Sequence, residues 1–345
     1  MSIKEIADVV SNAKEPEDIF EGTTLEEIKK SYRSLAKKTH PDIVSEELKP
    51  LAERVTTILN NMYSKAQKKI EQGIYNLKDK KEIYKRTKPL FKFTYRGKEY
   101  KIYKEVKEED VSVLYEGIEG DNLITLKLPM DESDNNLLDK EFDLLTTLSH
   151  LSLPKVIAKL KINGKTSLIM HEEDGLSPDD LIKEFGYIPE EHIAWILERL
   201  LSIIGYLHSN KIVHGNIKQE NIIIDVENHN VKLMDYTLAI KDANETKSKY
   251  EIINEDYTPD YVNSTSKVMP SVDIYAIGKI AIMLMGGDIK RNAMPVKVNI
   301  ELRTFIRKLL DKNENDAWKL WDELIELRNR LYGQTRFQKL ERKLK

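Results

Sequence analysis

The fold is decided by the stretch Ile212-Val-His-Gly-Asn-Ile-Lys-Gln-Glu-Asn-Ile-Ile-Ile-Asp225. A long helix is predicted just before it, over residues 192–208. Two further stretches follow in the chain. They read Val231-Lys-Leu-Met-Asp-Tyr-Thr-Leu-Ala239 and Ser271-Val-Asp-Ile-Tyr-Ala-Ile-Gly278. The order of these segments carries the prediction, because each of them alone is short.

From about residue 111 to 330 the chain resembles the protein-kinase superfamily. The first stretch matches the catalytic-loop pattern H-R-D-x-x-x-x-N, and the second matches the strand and D-F-G turn. The third resembles the buried helix after the activation segment. The resemblance implies an α+β fold and the use of ATP and Mg²⁺. It implies a small β-rich lobe at 111–175 and a large helical lobe at 176–335, followed by a charged tail at 336–345.

The resemblance also implies a nucleotide site. Lys127 corresponds to the lysine that contacts the α/β-phosphates, and Glu141 to its ion-pair partner on the following helix. Asn221 and Asp235 correspond to the Mg²⁺ ligands, and Lys218 to a loop lysine that supports the γ-phosphate. Nucleotide binding is therefore chemically possible. The alternative is an ion pair between Lys127 and Glu141 that only braces the small lobe.

Other positions depart from the kinase pattern. Asn216 stands where the family has the aspartate that accepts the substrate's proton, so no catalytic residue is assigned. Such a base contributes about 10²–10⁴-fold, and its loss weakens transfer without excluding it. Gly215 replaces the usual arginine. The phosphate-covering loop is assigned to residues 116–121, which places acids where phosphates would lie.

The end of the activation segment is altered as well. Asn263-Ser-Thr265 stands where A-P-E is expected, and Asn315 where an arginine should pair with its glutamate. Together with Asn216, these departures favour a pseudokinase over an active kinase.

A second resemblance lies in residues 1–75, which are predicted to be helical. A capping-box pattern at Thr23 or Thr24 opens a helix over 25–39, and a second helix covers about 48–62. Between them lies His40-Pro41-Asp42, where the proline ends the first helix. This arrangement resembles the J domain, which stimulates ATP hydrolysis by DnaK-type chaperones.

The J-domain resemblance implies contacts with a chaperone. Basic side chains on the first helix would dock on an acidic patch, and the His-Pro-Asp turn would trigger hydrolysis. The docking residues are Lys29, Lys30, Arg33, Lys37 and Lys38, and the triggering residues are His40, Pro41 and Asp42. The alternative is that His-Pro-Asp ends the helix by chance and that the basic residues only form a solvent-exposed helix face. The chain lacks the Gly/Phe segment and zinc-binding cysteines of some J proteins, so client capture would fall to the rest of it.

Residues 76–110 are predicted to be a basic linker that ends in an aromatic hairpin at 91–103, turning at Arg96-Gly97-Lys98. Aromatic and basic residues in alternation can stack on single-stranded nucleic acid, and a scaffold using residues 85–103 is one interpretation. A hairpin that caps the small lobe is the other. We expect the capping hairpin and no nucleic-acid partner.

Composition narrows the class further. The 345 residues are 40% apolar and 33% charged, as in soluble globular proteins, and the net charge of −3 gives no general attraction to nucleic acid or membranes. The absence of cysteine excludes disulfides, thiolate zinc sites and a cysteine nucleophile. The sequence shows no signal-peptide pattern and no bilayer-spanning apolar stretch, so we expect a cytoplasmic protein.

These observations favour a J-type cochaperone that stimulates a DnaK-type chaperone, with a kinase-like domain that binds a partner or an unknown client. The alternative is an atypical Ser/Thr protein kinase that uses Lys127, Asn221 and Asp235 and is targeted by its J domain. The cochaperone would stimulate ATP hydrolysis by a partner chaperone. The kinase would itself transfer a phosphoryl group, so measuring these two activities distinguishes the two functions.

Overall fold

The computed structural model describes residues 2–77, 79–242, 255–262, 269–333 and 340. The chain divides into two compact units. The first comprises Met1–Lys104 with Glu116–Leu123, and the second comprises Glu105–Tyr115 with Ile124–Lys345. The domain boundaries predicted from the sequence stay predictions. Except for Leu340, the predicted charged tail lies outside the described residues.

Three helices open the first unit: α1 (Ile3–Asn12), α2 (Leu25–Thr39) and α3 (Lys49–Glu71). The helical character predicted for this region is therefore correct. Of the two possible caps, Thr24 opens α2: its side chain accepts from the Glu27 amide, and the Glu27 carboxylate accepts from the Thr24 amide at 3.0 Å. The helix ends at Thr39, two residues before Pro41, which then opens a 3-10 turn.

The core of these helices is a small apolar cluster with an aromatic group at its side. Ile28 of α2 and Leu59 of α3 are fully buried in it. The rings of Tyr32 and Tyr63 stack with centroids 4.4 Å apart, and Phe20 meets both rings edge-on. Burial of this shared face joins the helices into one module.

The rest of the first unit begins with helix α4 (Lys80–Arg86) and strand β1 (Phe91–Tyr95). β1 pairs antiparallel with the start of β2 (Lys98–Glu108), and the turn residues Arg96 and Gly97 have φ of 49° and 77°. Positive φ at both positions suits a tight hairpin, as the sequence predicted.

Strands β3 (Ser112–Glu119) and β4 (Asn122–Pro129) run through both units. Within the second unit the same sheet also contains β5 (Val156–Ile162) and β6 (Lys165–His171), and its strands are ordered β2-β3-β4-β6-β5. Helix α5 (Asn135–Thr147) packs against β6. This sheet fixes the position of Lys127, which lies opposite Leu168 in the antiparallel register of β4 and β6.

The remainder of the second unit is mostly helical. Its elements are α6 (Pro178–Phe185), α7 (Glu190–Ser209), β7 (Ile212–Val213), β8 (Ile222–Asp225), β9 (Asn230–Leu233), β10 (Ile240–Lys241), α8 (Ser271–Leu284), α9 (Ile300–Leu309) and α10 (Ala317–Tyr332). β8 pairs with β9 and β7 with β10, both antiparallel. The β-sheet and helical parts of this unit are consistent with the predicted kinase-like α+β fold.

Helices α7 and α8 form the centre of the core, and most of their residues are buried. Because they are enclosed on nearly all sides, their sequences are apolar around almost the whole circumference. α7 and α10 approach closely at Gly205, where a Cβ atom would lie 2.8 Å from the Trp318 ring. Across the described parts of the chain, no helix combines the length and apolar character needed to cross a bilayer.

Candidate active site

Lys127 is the centre of a buried ion cluster in the second unit. Its side chain is 2% exposed, and its Nζ lies 2.9 Å from Glu141, 2.9 Å from Asp235 and 3.1 Å from Glu109. Burial alone would lower the pKa of Lys127, but the charges of Asp235, Glu109 and Glu141 raise that pKa well above its ordinary value. The ammonium therefore stays charged inside the protein.

Glu141 reaches the cluster from helix α5. Its Oε1 accepts a hydrogen bond from Lys127 Nζ at 3.1 Å and another from the Tyr236 backbone amide at 2.9 Å. Burial raises the pKa of Glu141, and the charge of Lys127 opposes that rise. Glu141 thus joins the β-sheet to the turn after β9.

Asp235 lies in that turn, with φ of 60°, a conformation that non-glycine residues seldom adopt. Its Oδ2 accepts from Asn216 Nδ2 at 3.0 Å, and its Oδ1 accepts from Thr237 Oγ1 at 2.6 Å. Burial by itself raises the pKa of Asp235, but the Lys127 charge and the hydrogen bonds from Thr237 and Lys127 hold that pKa well below its ordinary value. The carboxylate is therefore ionised.

The loop that carries Asn216 is held by Asp273 of helix α8. The two carboxylate oxygens of Asp273 accept from the backbone amides of His214 and Gly215, each at 2.8 Å, and His208 Nε2 lies 2.9 Å away. Sequence reasoning assigned no role to Asp273. An acid inside a mostly apolar helix was the available signal, because a buried carboxylate needs partners.

A turn between β2 and β3, residues 107–112, also enters the site, and we name it the acidic turn. Glu109 contacts Lys127, and Asp110 Oδ2 lies 2.6 Å from Lys218 Nζ and 3.0 Å from Asn216 Nδ2. Lys107 Nζ donates to the Glu220 carbonyl at 2.9 Å. None of these three turn residues was predicted to belong to the site.

The predicted phosphate-covering loop at 116–121 is wrong. Those residues form the end of β3 and the turn at Gly120-Asp121 that leads into β4. Within the first unit, Glu116 accepts hydrogen bonds from Lys80 and Tyr84. The turn that reaches Lys127 lies one hairpin earlier and contains no glycine, so composition alone pointed to the wrong turn.

The oxygen donors present fit a magnesium ion. Asp235 supplies a carboxylate and Asn221 an amide oxygen, and Mg²⁺ in such sites takes one or two protein ligands with the rest from water and phosphates. Among residues 2–77, 79–242, 255–262 and 269–333, no cluster of three His, Cys, Asp or Glu side chains is placed to hold a metal. A magnesium ion held by these two residues would complete its coordination with water and nucleotide oxygens.

Two further predicted positions concern the activation segment. Asn315 does not stand on a helix. It lies in the loop before α10, where its Oδ1 accepts from the Ser271 amide at 3.1 Å, at the start of α8. Residues 263–265, predicted to replace A-P-E, lie outside the described residues.

The residues predicted to contact a chaperone lie on the surface of the first unit. All five basic residues of α2 are exposed: Lys29, Lys30, Arg33, Lys37 and Lys38. His40 and Asp42 are exposed too, and His40 Nδ1 accepts from the Asp42 amide at 3.2 Å. The His-Pro-Asp turn is thus accessible and organised by its own hydrogen bond.

The family of the chain follows from its sequence matches. The family model described as "Protein kinase domain" matches residues 111–343, well over half of the chain. The chain therefore belongs to the protein kinase domain family.

Several relatives are named kinases. The chain is 29% identical to a "probable serine/threonine-protein kinase" of Dictyostelium discoideum, over 46% of the chain and 32% of the relative. It is 27% identical to the serine/threonine-protein kinase sid1 of Schizosaccharomyces pombe, over 59% and 47%. A "probable inactive serine/threonine-protein kinase" of D. discoideum is 26% identical, over 60% and 18%. The chain thus matches less than half the length of each of these relatives.

These matches correct the main functional prediction. A J-type cochaperone with a pseudokinase domain was favoured, whereas the matched family is that of protein kinases and relatives are named serine/threonine kinases. The prediction of a cochaperone is therefore wrong, and the alternative of an atypical Ser/Thr kinase agrees better. A protein kinase domain also implies ATP and Mg²⁺.

Proposed function

We propose that the chain is an atypical serine/threonine protein kinase that transfers the γ-phosphoryl group of ATP to a protein hydroxyl. The observation that carries this proposal is the cluster of Lys127, Glu141 and Asp235. Lys127 is separated in sequence from Glu141 by 14 residues and from Asp235 by 108, yet its ammonium contacts both carboxylates. The Lys127–Glu141 pair is the ion pair that phosphoryl transfer in protein kinases requires, and Asp235 corresponds to the aspartate that holds Mg²⁺ there.

Each side chain of the site has a task in that reaction. Lys127 would hold the α/β-phosphates and Lys218 would support the γ-phosphate. Asn221 and Asp235 would hold Mg²⁺, which supplies positive charge that offsets the charge of the phosphates. Asp273 positions the loop through the backbone amides at 214 and 215. The chain's contribution is placement and electrostatics, which dominate catalysis of phosphoryl transfer.

Asn216 sets the expected rate. An amide cannot accept the proton of the attacking hydroxyl, and losing a general base slows a reaction by about 10²–10⁴-fold. The transition state of phosphoryl transfer is loose, so positioned charges still lower its energy without a base. We therefore expect slow transfer.

The helical module of α1, α2 and α3 has no place in this chemistry. We assign it a targeting role, in keeping with the alternative drawn from the sequence. The exposed basic side chains of α2 support this role, because charges on a surface steer association with partners of opposite charge.

A transfer assay with radiolabelled ATP and Mg²⁺ tests the proposal, with the full chain and a generic protein substrate. We expect slow labelling by the wild type that Asp235→Asn and Lys127→Met abolish. Asp311→Asn is the matched control, since Asp311 is an exposed loop carboxylate that accepts one backbone and one side-chain hydrogen bond from Asn313. Labelling by the wild type no faster than by Asp235→Asn would refute the proposal.

A gain-of-function variant provides a second test. Asn216→Asp restores a proton acceptor, and we expect it to increase transfer by about 10²-fold, the low end of the range for a general base. The gain is limited because Asp110 and Asp235 both lie 3.0 Å from the Asn216 amide nitrogen and would repel a new carboxylate. The rate of Asn216→Asp relative to wild type, at saturating ATP, measures this effect.

A further inference from the structure

We propose that the acidic turn, residues 107–112, is an internal mimic of a metal-bound nucleotide and keeps ATP out of the site. This inference rests on the proposed function, which assigns phosphate binding to Lys127 and Lys218. It concerns the regulation of the same site.

The first support is the position of two consecutive acids. Glu109 is nearly fully buried and contacts Lys127 at 3.1 Å, while Asp110 contacts Lys218 at 2.6 Å. Each carboxylate thus neutralises one of the two lysines that would bind phosphate. Glu109 thus pairs with the lysine assigned to the α/β-phosphates, and the next residue, Asp110, pairs with the lysine assigned to the γ-phosphate.

The second support is the position of a cation. Lys107 Nζ lies 3.4 Å from Asn221 Oδ1 and 3.8 Å from Glu109 Oε1. An ammonium therefore stands between a predicted metal ligand and a carboxylate that occupies the place of a phosphate. The Lys107 ammonium thus supplies positive charge beside Asn221, as a magnesium ion held there would.

The third support is the hydrogen bonding within the turn. The Glu109 amide donates to the Ser112 carbonyl at 2.7 Å, and Ser112 Oγ donates to the Glu109 carboxylate at 2.7 Å. Ser112 is fully buried. The corresponding loop of active kinases is rich in glycine and covers the phosphates with its backbone. Here side chains enter the site instead, and their hydrogen bonds hold them there.

Electrostatics make the mimic and a nucleotide mutually exclusive. The phosphates of ATP carry several negative charges, and at contact distance from Glu109 and Asp110 they would be strongly repelled in a buried site. Both carboxylates must leave their lysines before ATP binds. Nucleotide affinity therefore includes the free energy needed to open the turn, and neutral side chains at 109 and 110 reduce that free energy.

Calorimetric titration with a non-hydrolysable ATP analogue and Mg²⁺ tests this inference on the full chain. We expect the Glu109→Gln/Asp110→Asn variant to bind with a Kd at least about tenfold lower than wild type, or about 1.4 kcal/mol. The control is Asp322→Asn/Glu326→Gln, which makes the same change in net charge at two exposed residues of α10. Its Kd should stay within about twofold of wild type.

A single variant keeps the test valid if the double variant folds poorly. Asp110→Asn leaves the buried Glu109 contacts intact, and we expect it to lower Kd about threefold. Equal Kd values in wild type and both variants, or no binding by any of them, would overturn the inference.

The outcome is separable from that of the proposed function. If the wild type transfers phosphate but binds the analogue as tightly as the double variant does, only the inference is refuted. If the double variant binds the analogue tightly but transfers no phosphate, the inference is supported and the proposed kinase activity is refuted.

Discussion

Two groups of charged side chains, the basic face of α2 and the cluster around Lys127, differ in their exposure to water. The five basic residues of α2 are exposed, whereas Lys127, Glu141 and Asp235 are almost completely buried. Water screens the first group, so each of its members contributes little to folding. In the second group every charge depends on its partners, because removing one leaves the others unpaired. Exposure, rather than the number of charges, decides what a substitution does.

The largest effect is expected for Lys127→Met. The substitution leaves three carboxylates without their shared cation, and we expect a loss of about 3–5 kcal/mol in the free energy of unfolding. Urea titration measures it. Lys161→Met, the same substitution at an exposed position of β5, is the control and should change stability by less than about 0.5 kcal/mol. Equal stabilities of the two variants would remove the contrast between buried and exposed charge.

Asp273→Asn is expected to have the next largest effect, about 2–3 kcal/mol, because an amide cannot accept all the hydrogen bonds that the buried carboxylate receives. Asp288 offers a close match, since it also accepts from two backbone amides, at 2.9 and 3.1 Å, but is exposed. We expect Asp288→Asn to cost well under half as much. A similar loss in both variants, measured by thermal unfolding, would contradict the role given to burial.

The effect of Asp273 should also depend on pH. Burial by itself raises the pKa of Asp273, but the His208 hydrogen bond and nearby charges lower it below its ordinary value. A carboxyl whose pKa is lower in the folded state adds stability above its unfolded pKa, and that stability is lost as pH falls through the folded value. The stability difference between wild type and Asp273→Asn should therefore persist from pH 7 to 5 and shrink below about pH 4. A stability difference that grows as the pH falls would mean that folding raises the pKa of Asp273 instead of lowering it.

The smallest effect is expected on α2. Lys29→Ala/Lys37→Ala should change the free energy of unfolding by less than about 0.5 kcal/mol and leave transfer to a generic substrate unchanged. The same stability and transfer assays measure both quantities. A loss of transfer in this variant would show that the module takes part in catalysis beyond targeting.

Much of the site could be predicted from the order of motifs along the sequence. Lys127, Glu141, Asn221 and Asp235 were proposed from a resemblance that fixes residue type and order, and the structure brings their side chains into one cluster. The helices α2 and α3 followed from a capping box and from apolar spacing, which are local properties of the chain.

The acidic turn could not be predicted in the same way. The contacts of Asp110 with Asn216 and Lys218 join residues more than 100 positions apart, and no periodicity in the sequence encodes such pairs. The glycines at 117 and 120 also drew attention to the following hairpin, although glycine only permits a close approach and does not determine which turn makes it. Function was mispredicted for a similar reason, since the His40-Pro41-Asp42 signal was given more weight than the larger kinase-like region.

The acidic turn is covalently attached to the site that it fills, so its effective concentration is set by the chain and does not change on dilution. Under the proposed mechanism, a nucleotide competes with an occupant that never diffuses away, and its apparent Kd equals the intrinsic Kd divided by the open fraction of molecules. If about one molecule in a hundred is open, a site with an intrinsic Kd of about 1 μM responds only near 100 μM. The sequence of six residues would then set the ATP level at which the protein begins to work.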